Sequence, residues 1–337
     1  MSNKIGWIIA GVLVLSLIAF VVFKSSGSNP TPPTPDTANP EIMEYHPLNA
    51  SPSLFLPSGR LEGPGNAGED YVKAIALYKA NAQVLRDELG HIDQIPSRTY
   101  TPKGSSLQLI RDILAILTEA GAKKDMKYAL VCTPKEFIVK GTYRPGDDLA
   151  RLVGLLSVLN STDLLTKNYA SMEKSFQASF TAGWHMMAER SRARMMLDGI
   201  ILQETALNDL ESLYNLWQKD QHPQQLAGIA AYQKELSSLR VFVERKCGII
   251  WKNPPEPGDL YRIIENDKDR VFRVDSLLYL GAVRYTHAKF PADLKKIASL
   301  LDQYEKSADP FEAAAATAAK KLTPEDFRQV GAPDNDD

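Results

Sequence analysis

The chain is poor in the residues that define disulfide-rich and metal-binding proteins. It has two cysteines, Cys132 and Cys247, and five histidines in 337 residues, and neither type falls at the spacing of a zinc site. No CxxC pair, glycine-rich phosphate loop or Gly-x-Ser-x-Gly turn occurs. We therefore expect no metal and no cofactor. The two cysteines are left either as buried free thiols or as one candidate disulfide.

Acidic and basic residues are mixed along the chain, and a cluster of one sign occurs only at the acidic C-terminal end. The chain has 39 Lys and Arg against 41 Asp and Glu, a net charge of −2. Nucleic acids and anionic membrane surfaces attract long clusters of basic residues, and none is present. We therefore expect no nucleic-acid partner. Residues 331–337, GAPDNDD, are predicted to be an acidic disordered tail.

One long hydrophobic run is present, near the N-terminus. The uncharged residues Ile5–Phe23 lie between Lys4 and Lys24, and as a helix they cover about 28 Å, close to the hydrocarbon thickness of a bilayer. A cleaved signal has a shorter apolar region and a small-residue cleavage site, whereas this run ends in AFVVFK. We predict a retained transmembrane helix over 5–23, in contact with the lipid bilayer. A cleaved signal is the alternative.

The flanking charges predict an orientation for this helix. Residues 1–4 carry Lys4 and the α-amino group, whereas no Lys or Arg follows Lys24 until Arg60. Because the cytoplasmic side carries the excess of Lys and Arg, residues 1–4 are predicted to be a short cytoplasmic tail. The main domain is then extracytoplasmic, in the periplasm or cell envelope. The proline-rich residues 24–40 are predicted to be a semi-rigid tether.

The sequence after the tether changes from proline-rich to helical. Residues 41–68 show no period and are predicted to be an extended strap, pinned by the apolar residues 54–56. Over 69–330, apolar residues recur at steps of three and four. This pattern predicts an all-α domain of packed helical hairpins, either a bundle or an irregular α-solenoid. A small β-hairpin is predicted near 127–143, which offers a subdivision near 125–146.

Several helix boundaries are predicted from caps and stops. One helix is predicted over 69–90, ending at a glycine. The next has Ser105 or Ser106 as its N-cap. Asp147 and Asp148 follow Pro-Gly and are predicted to cap a third helix. A long stripe from 166 to 221 is followed by a turn, so its last part and the next helix are predicted to form an antiparallel hairpin.

The C-terminal part resembles helical repeat proteins. Leu277, Leu280, Gly281 and Tyr285 are spaced like residues in the first helix of a tetratricopeptide-type unit, and residues 309–310, Asp-Pro before an alanine-rich run, resemble the start of a HEAT-type helix. The resemblance covers about 50 residues. It implies packed helical hairpins that present a surface to a partner, and it implies no activity.

One short stretch holds candidate catalytic side chains, GWHMMAERSRARMM from Gly183 to Met196. On a continuous helix His185, Glu189 and Arg192 lie about one turn apart on one face. Such a trio can act as a general base, a carboxylate that orients it and an anion-binding guanidinium. The alternative is that Glu189 pairs with Arg192 on a solvated face while Trp184 and the methionines fill the core.

Two functional classes follow from these observations. The first is a membrane-anchored extracytoplasmic helical scaffold or adaptor that binds an unidentified protein or itself. The second is a hydrolase-like envelope enzyme with a dispersed site that includes His185 and Glu189. Core packing already accounts for the aromatic residues and methionines, and no titratable cluster is left over. This favours the scaffold.

Overall fold

The computed structural model describes residues 48–127, 145–217, 222–251, 256–286 and 291–322. Several predictions lie outside these ranges: the transmembrane helix over 5–23, the tether over 24–40, the first part of the strap, nearly all of the hairpin near 127–143, Cys132 and the acidic tail over 331–337.

The described part of the chain is mostly α-helical, which confirms the predicted class. Its helices are α1 (Ala67–Ala80), α2 (Ala82–Gly90), α3 (Gly104–Ala120), α4 (Pro145–Thr166), α5 (Tyr169–Glu189), α6 (Ala193–Leu216), α7 (Pro223–Ile250), α8 (Pro257–Asn266), α9 (Arg270–Thr286), α10 (Pro291–Tyr304) and α11 (Pro310–Lys321). Two 3-10 helices cover Pro52–Leu54 and Ile92–Gln94. Two strands, β1 (Gly63–Asn66) and β2 (Lys123–Asp125), pair in parallel.

Two predicted boundaries are wrong, and a third agrees with the structure. The helix predicted over 69–90 is divided into α1 and α2 at Asn81, whose side-chain amide donates to the Leu77 carbonyl. The N-cap of α3 is Lys103 rather than Ser105 or Ser106, and it makes no side-chain capping bond. Asp147 and Asp148 lie at the start of α4, as predicted, and the Asp148 carboxylate also pairs with Lys79 Nζ of α1 at 3.0 Å.

The described part of the strap is extended only at its end, in strand β1. Before this strand it forms a 3-10 helix over Pro52–Leu54 and then a series of turns. Phe55 is buried, and its ring makes edge contacts with Phe180 at 5.1 Å and Tyr232 at 5.6 Å between centroids. Leu54, in contrast, is 53% exposed. Phe55 therefore fixes the strap to α5 and α7. The sequence predicted this contact for the apolar residues 54–56 together.

The parallel strand pair is an element that the sequence analysis missed. The Leu61 amide donates to the Gly121 carbonyl at 3.0 Å, and the Gly63 amide donates to the Ala122 carbonyl at 2.8 Å. These bonds join the end of the strap to the residues just after α3. Because β1 runs directly into α1, the pair fixes the start of α1 beside β2.

The centre of the described part is a stack of α4, α5, α6 and α7. Helices α5 and α6 approach most closely at two glycines, since a Cβ added to Gly199 would lie 2.5 Å from the Gly183 carbonyl oxygen. Helix α7 packs against α6, with Tyr232 Oη donating to Gln203 at 2.9 Å. The pairing of α6 with α7 is the hairpin predicted across the turn near 221. The predicted stripe over 166–221 forms α5 and α6 rather than one helix.

The C-terminal helices α8 to α11 pack on one another and on α7. Gly281 of α9 faces α11 so closely that an added Cβ would lie 2.9 Å from the Ala319 carbonyl oxygen. The Asp309 carboxylate caps α11 by accepting from the amides of Phe311 and Glu312, with Pro310 in the first turn. Helices therefore form where the repeat-like sequence implied them.

One described helix is long and apolar enough to cross a membrane. It is Asp148–Thr166 of α4, and 61% of this segment is buried within the protein. A core helix of a soluble protein has the same properties, so the observation is weak evidence for a membrane span.

Candidate functional site

His185 is a fully buried residue of α5 that contacts two other elements. Tyr71 Oη of α1 lies 2.7 Å from its Nδ1, and the Lys123 carbonyl oxygen of β2 lies 2.8 Å from its Nε2. A carbonyl oxygen can only accept, so Nε2 carries the proton and donates. In the neutral ring Nδ1 then accepts from the Tyr71 hydroxyl. Both ring nitrogens are occupied by groups of the fold.

The surroundings of His185 keep it neutral at physiological pH. Burial lowers its pKa to about 4, although the bond to the Lys123 carbonyl and the charge of Asp125 act in the opposite direction. The Trp184 ring packs against it with centroids 5.4 Å apart. A general base must reach the proton that it abstracts. A buried ring with both nitrogens already bonded does not present such a base to a substrate.

A buried ion pair lies next to this histidine. Asp70 of α1 accepts from Lys123 Nζ at 2.5 Å and from Lys73 Nζ at 3.0 Å. Burial by itself would raise the pKa of Asp70, but the hydrogen bonds and charges of the two lysines outweigh burial, so the pKa is lowered. Lys123 thus bonds α1 through its side chain and α5 through its carbonyl. The cluster fixes β2 between two helices.

The helix that carries His185 ends before Arg192. Helix α5 ends at Glu189, and Arg190 adopts a left-handed conformation with φ of 53°. Arg270 of α9 then donates to the carbonyls of Glu189 and Arg190, at 3.1 and 3.0 Å. These are carbonyls that the end of a helix leaves without a partner. We call residues 189–192 the α5–α6 corner.

The predicted catalytic trio is not assembled. Arg192 lies outside α5, and its Nε donates to Asp275 Oδ1 of α9 at 2.8 Å. Glu189 Oε2 accepts from Ser191 Oγ at 3.1 Å, while His185 bonds α1 and β2. The expectation that the three side chains share one helical face is wrong. It assumed a continuous helix, and the corner breaks that helix.

Cys247 lies near this corner as a buried free thiol of α7. Burial raises its pKa, with the charge of Asp275 acting in the same direction. A raised pKa suppresses the thiolate, which is the nucleophilic form of cysteine. Cys132 lies outside the described residues, and Cys247 is a free thiol in this structure, so the structure gives no support to the candidate disulfide between them.

A polar group that the sequence analysis missed lies between α4, α5 and α6. Asp209 of α6 is buried, and burial raises the pKa of its carboxyl to about 8. It lines a cavity of about 20 Å³. A carboxyl with a strongly shifted pKa in a cavity is a candidate functional group. The sequence held one indication, because Asp209 falls inside the predicted core stripe between Ala206 and Leu213.

Metal-ligating groups and relatives give no further indication of function. Among the residues that the structure describes, no three or more His, Cys, Asp or Glu side chains are placed to hold a metal ion. Comparison with protein-family models, with curated proteins and with solved structures found no match. The resemblance of the C-terminal helices to repeat proteins stays a prediction.

Proposed function

We propose that the chain is a membrane-anchored extracytoplasmic scaffold or adaptor whose helical domain binds another protein. The N-terminal hydrophobic run and the proline-rich residues 24–40 supply the anchor and tether in this proposal. The domain supplies the binding surface. The main support is that the side chains offered for catalysis are already bonded to the fold, His185 by Tyr71 and Lys123, and Arg192 by Asp275.

The outward face of α7 is the surface that suits a protein partner best. Half of its exposed residues are alanine, serine or glycine, and the apolar Val241 is 46% exposed. The small or apolar exposed residues are Ala227, Ala230, Ala231, Ser237, Ser238, Val241 and Gly248. Small side chains let another helix approach closely, and an exposed apolar residue on such a face favours contact with an apolar partner.

Site-specific photo-crosslinking of the full-length chain in its native membrane tests this proposal. A photoreactive residue at Val241 is expected to give a discrete crosslinked product. The matched control is the same residue at Gln303, an exposed position of α10. A product that appears at 241, is absent at 303 and is lost when Ala230 is changed to Glu supports the adaptor. Equal products at both positions, or none at either, contradict it.

The same material separates the adaptor from the hydrolase alternative. His185→Gln and Glu189→Gln are expected to leave the crosslinked product at position 241 unchanged. If the membrane-extracted protein hydrolyses an ester, amide or glycoside substrate and either variant abolishes this turnover without unfolding the chain, the enzyme alternative holds and the adaptor proposal is wrong.

A further inference from the structure

The cavity between α4, α5 and α6 is lined by apolar side chains and a small number of oxygen atoms. Its lining residues are Ala150, Val153, Gly154, Asn160, Phe176, Ser179, Leu202, Thr205, Ala206 and Asp209. Val153, Asn160 and Thr205 are half-buried, so the mouth of the cavity reaches the surface. Its volume of about 20 Å³ suits one molecule the size of water.

Apart from the Asn160 side-chain NH2 group, the polar atoms of this lining are hydrogen-bond acceptors. The Ser179 hydroxyl donates to the Ser175 carbonyl at 2.9 Å, and the Thr205 hydroxyl donates to the Ile201 carbonyl at 3.0 Å. Each hydroxyl has therefore used its single hydrogen. Asn160 Oδ1 is buried and has no hydrogen-bond partner among the described residues. An ionised Asp209 adds two more acceptor oxygens.

Such a lining matches a cation better than water. A water molecule offers two donors and brings two lone pairs that need donors of their own. An ammonium ion offers four donors and no lone pair, and it compensates the charge of a buried carboxylate, which is costly without a partner. Potassium is a hard cation and binds the same oxygen ligands. Asp209 is the single titratable side chain in the lining, and α4 and α5 bring no second charge to the cavity.

We propose that this cavity binds one ammonium-sized cation, held by Asp209, Asn160 and Thr205. The cation is free ammonium, potassium or the head group of a primary amine whose chain leaves through the mouth. Burial gives the Asp209 carboxyl a pKa of about 8 without the cation, so binding is measured at pH 8.5, where the carboxylate predominates.

Thermal unfolding of the full-length chain in detergent tests the site. Tetramethylammonium chloride, whose cation is too large for the cavity, is replaced stepwise by ammonium, potassium or n-butylammonium chloride at constant ionic strength. The midpoint is expected to rise saturably, by about 3 °C at ten times the Kd. If the midpoint rises with ammonium and butylammonium but not with potassium, the cavity is an amine site. If it rises with potassium as well, the cavity is a general site for monovalent cations. The same midpoint in all four salts overturns the proposal.

Asp209→Asn removes the negative charge of the site and is expected to abolish the rise in the midpoint. Two threonine variants keep the test valid if Asp209→Asn fails to fold. Thr205→Val removes an acceptor from the lining, and Thr162→Val is its matched control, because Thr162 makes the same bond to the carbonyl four residues earlier, at 3.0 Å, without lining the cavity. Thr205→Val is expected to raise the Kd about tenfold, the effect of one lost hydrogen bond to a charged group. Thr162→Val should keep the wild-type Kd. Equal Kd values for the two variants would mean that the cation binds elsewhere.

Discussion

His185 illustrates how the fold can remove a titratable residue from chemistry. Protonation would place a positive charge in a fully buried position, beside a ring and a hydroxyl that offer it little compensation. Its hydrogen-bond partners, Tyr71 and Lys123, lie 114 and 62 positions away in sequence. The sequence could identify His185 as a helical residue next to a carboxylate. It could not identify these partners, because they depend on where α1 and β2 pack.

The depressed pKa of His185 predicts a pH dependence of stability. The ordinary pKa of 6.5 applies to the unfolded chain and about 4 to the folded chain. Between these values the unfolded chain binds more protons, so stability rises with pH in this window and is lost as pH falls below 6.5. The loss approaches about 3 kcal/mol near pH 4. We expect denaturant unfolding at pH 7.5, 5.5 and 4.5 to show this slope.

Two variants separate the histidine from other acid-sensitive groups. His185→Gln should be less stable at pH 7.5 and show a flatter slope than the wild type between pH 7.5 and 4.5. Tyr71→Phe, which removes one bond but keeps the histidine, should lose about 1–2 kcal/mol at pH 7.5 and retain the slope. A wild-type slope in His185→Gln would show that the histidine is not buried neutral.

The helices themselves follow from local sequence, whereas their ends do not. The 3.6-residue period of apolar residues is a local property, and it identified most of the helical stretches over 69–322. At the break of the α5–α6 corner, a helix-end carbonyl is bonded by Arg270, which lies 80 positions away. The strand pair likewise joins β1 and β2, which are distant in sequence and too short to show an alternating pattern.

Two glycine substitutions are expected to change stability in opposite directions, one at the close contact of α5 with α6 and one on an open side of α7. A Cβ on Gly199 would meet the Gly183 carbonyl at 2.5 Å and the Met187 amide at 2.8 Å, both backbone atoms that cannot move aside. Gly199→Ala is expected to separate α5 from α6 and cost about 2–3 kcal/mol. Gly248→Ala in α7 is the control, since its Cβ meets nothing within 4 Å. It should stabilise by up to about 1 kcal/mol. Chemical denaturation that ranks Gly199→Ala as the more stable variant would contradict this packing.

At the scale of the whole described part, buried ion pairs join the central helices to the C-terminal helices. Arg190 pairs with Asp269, Arg192 with Asp275, and Lys246 of α7 with Asp267. The pairs gather at the start of α9 and around the α5–α6 corner. The position of α8 to α11 against α7 is therefore determined by charge pairing as well as by apolar contact. Sequence spacing did not predict these pairs, because their partners lie 79, 83 and 21 positions apart in sequence.

Breaking one of these pairs tests how strongly it holds the two groups of helices together. Asp275 is fully buried, so Asp275→Leu leaves the Arg192 guanidinium without its partner. We expect a loss of about 3–5 kcal/mol in the free energy of unfolding. Adding Arg192→Met should recover part of it, because the unpaired charge is then absent. The exposed pair of Asp259 and Arg262 on α8 is the control, and Asp259→Ala should cost under about 1 kcal/mol. Equal costs for Asp275→Leu and Asp259→Ala would contradict the prediction.

The last prediction concerns how the whole chain is held at the membrane. The run over 5–23 is long enough to span and ends without a cleavage site, so the mature protein is expected to keep residue 23 and to resist carbonate extraction. A charge at the centre of a spanning helix costs about 2.5–3.5 kcal/mol, so Val14→Arg should shift much of the protein to the soluble fraction. Val84→Arg, at an exposed position of α2, is the matched control and should stay in the membrane. N-terminal sequencing that finds a start near Ser28 would show that the run is a cleaved signal. In that case the domain would be released, and an adaptor confined to the membrane surface would no longer be tenable.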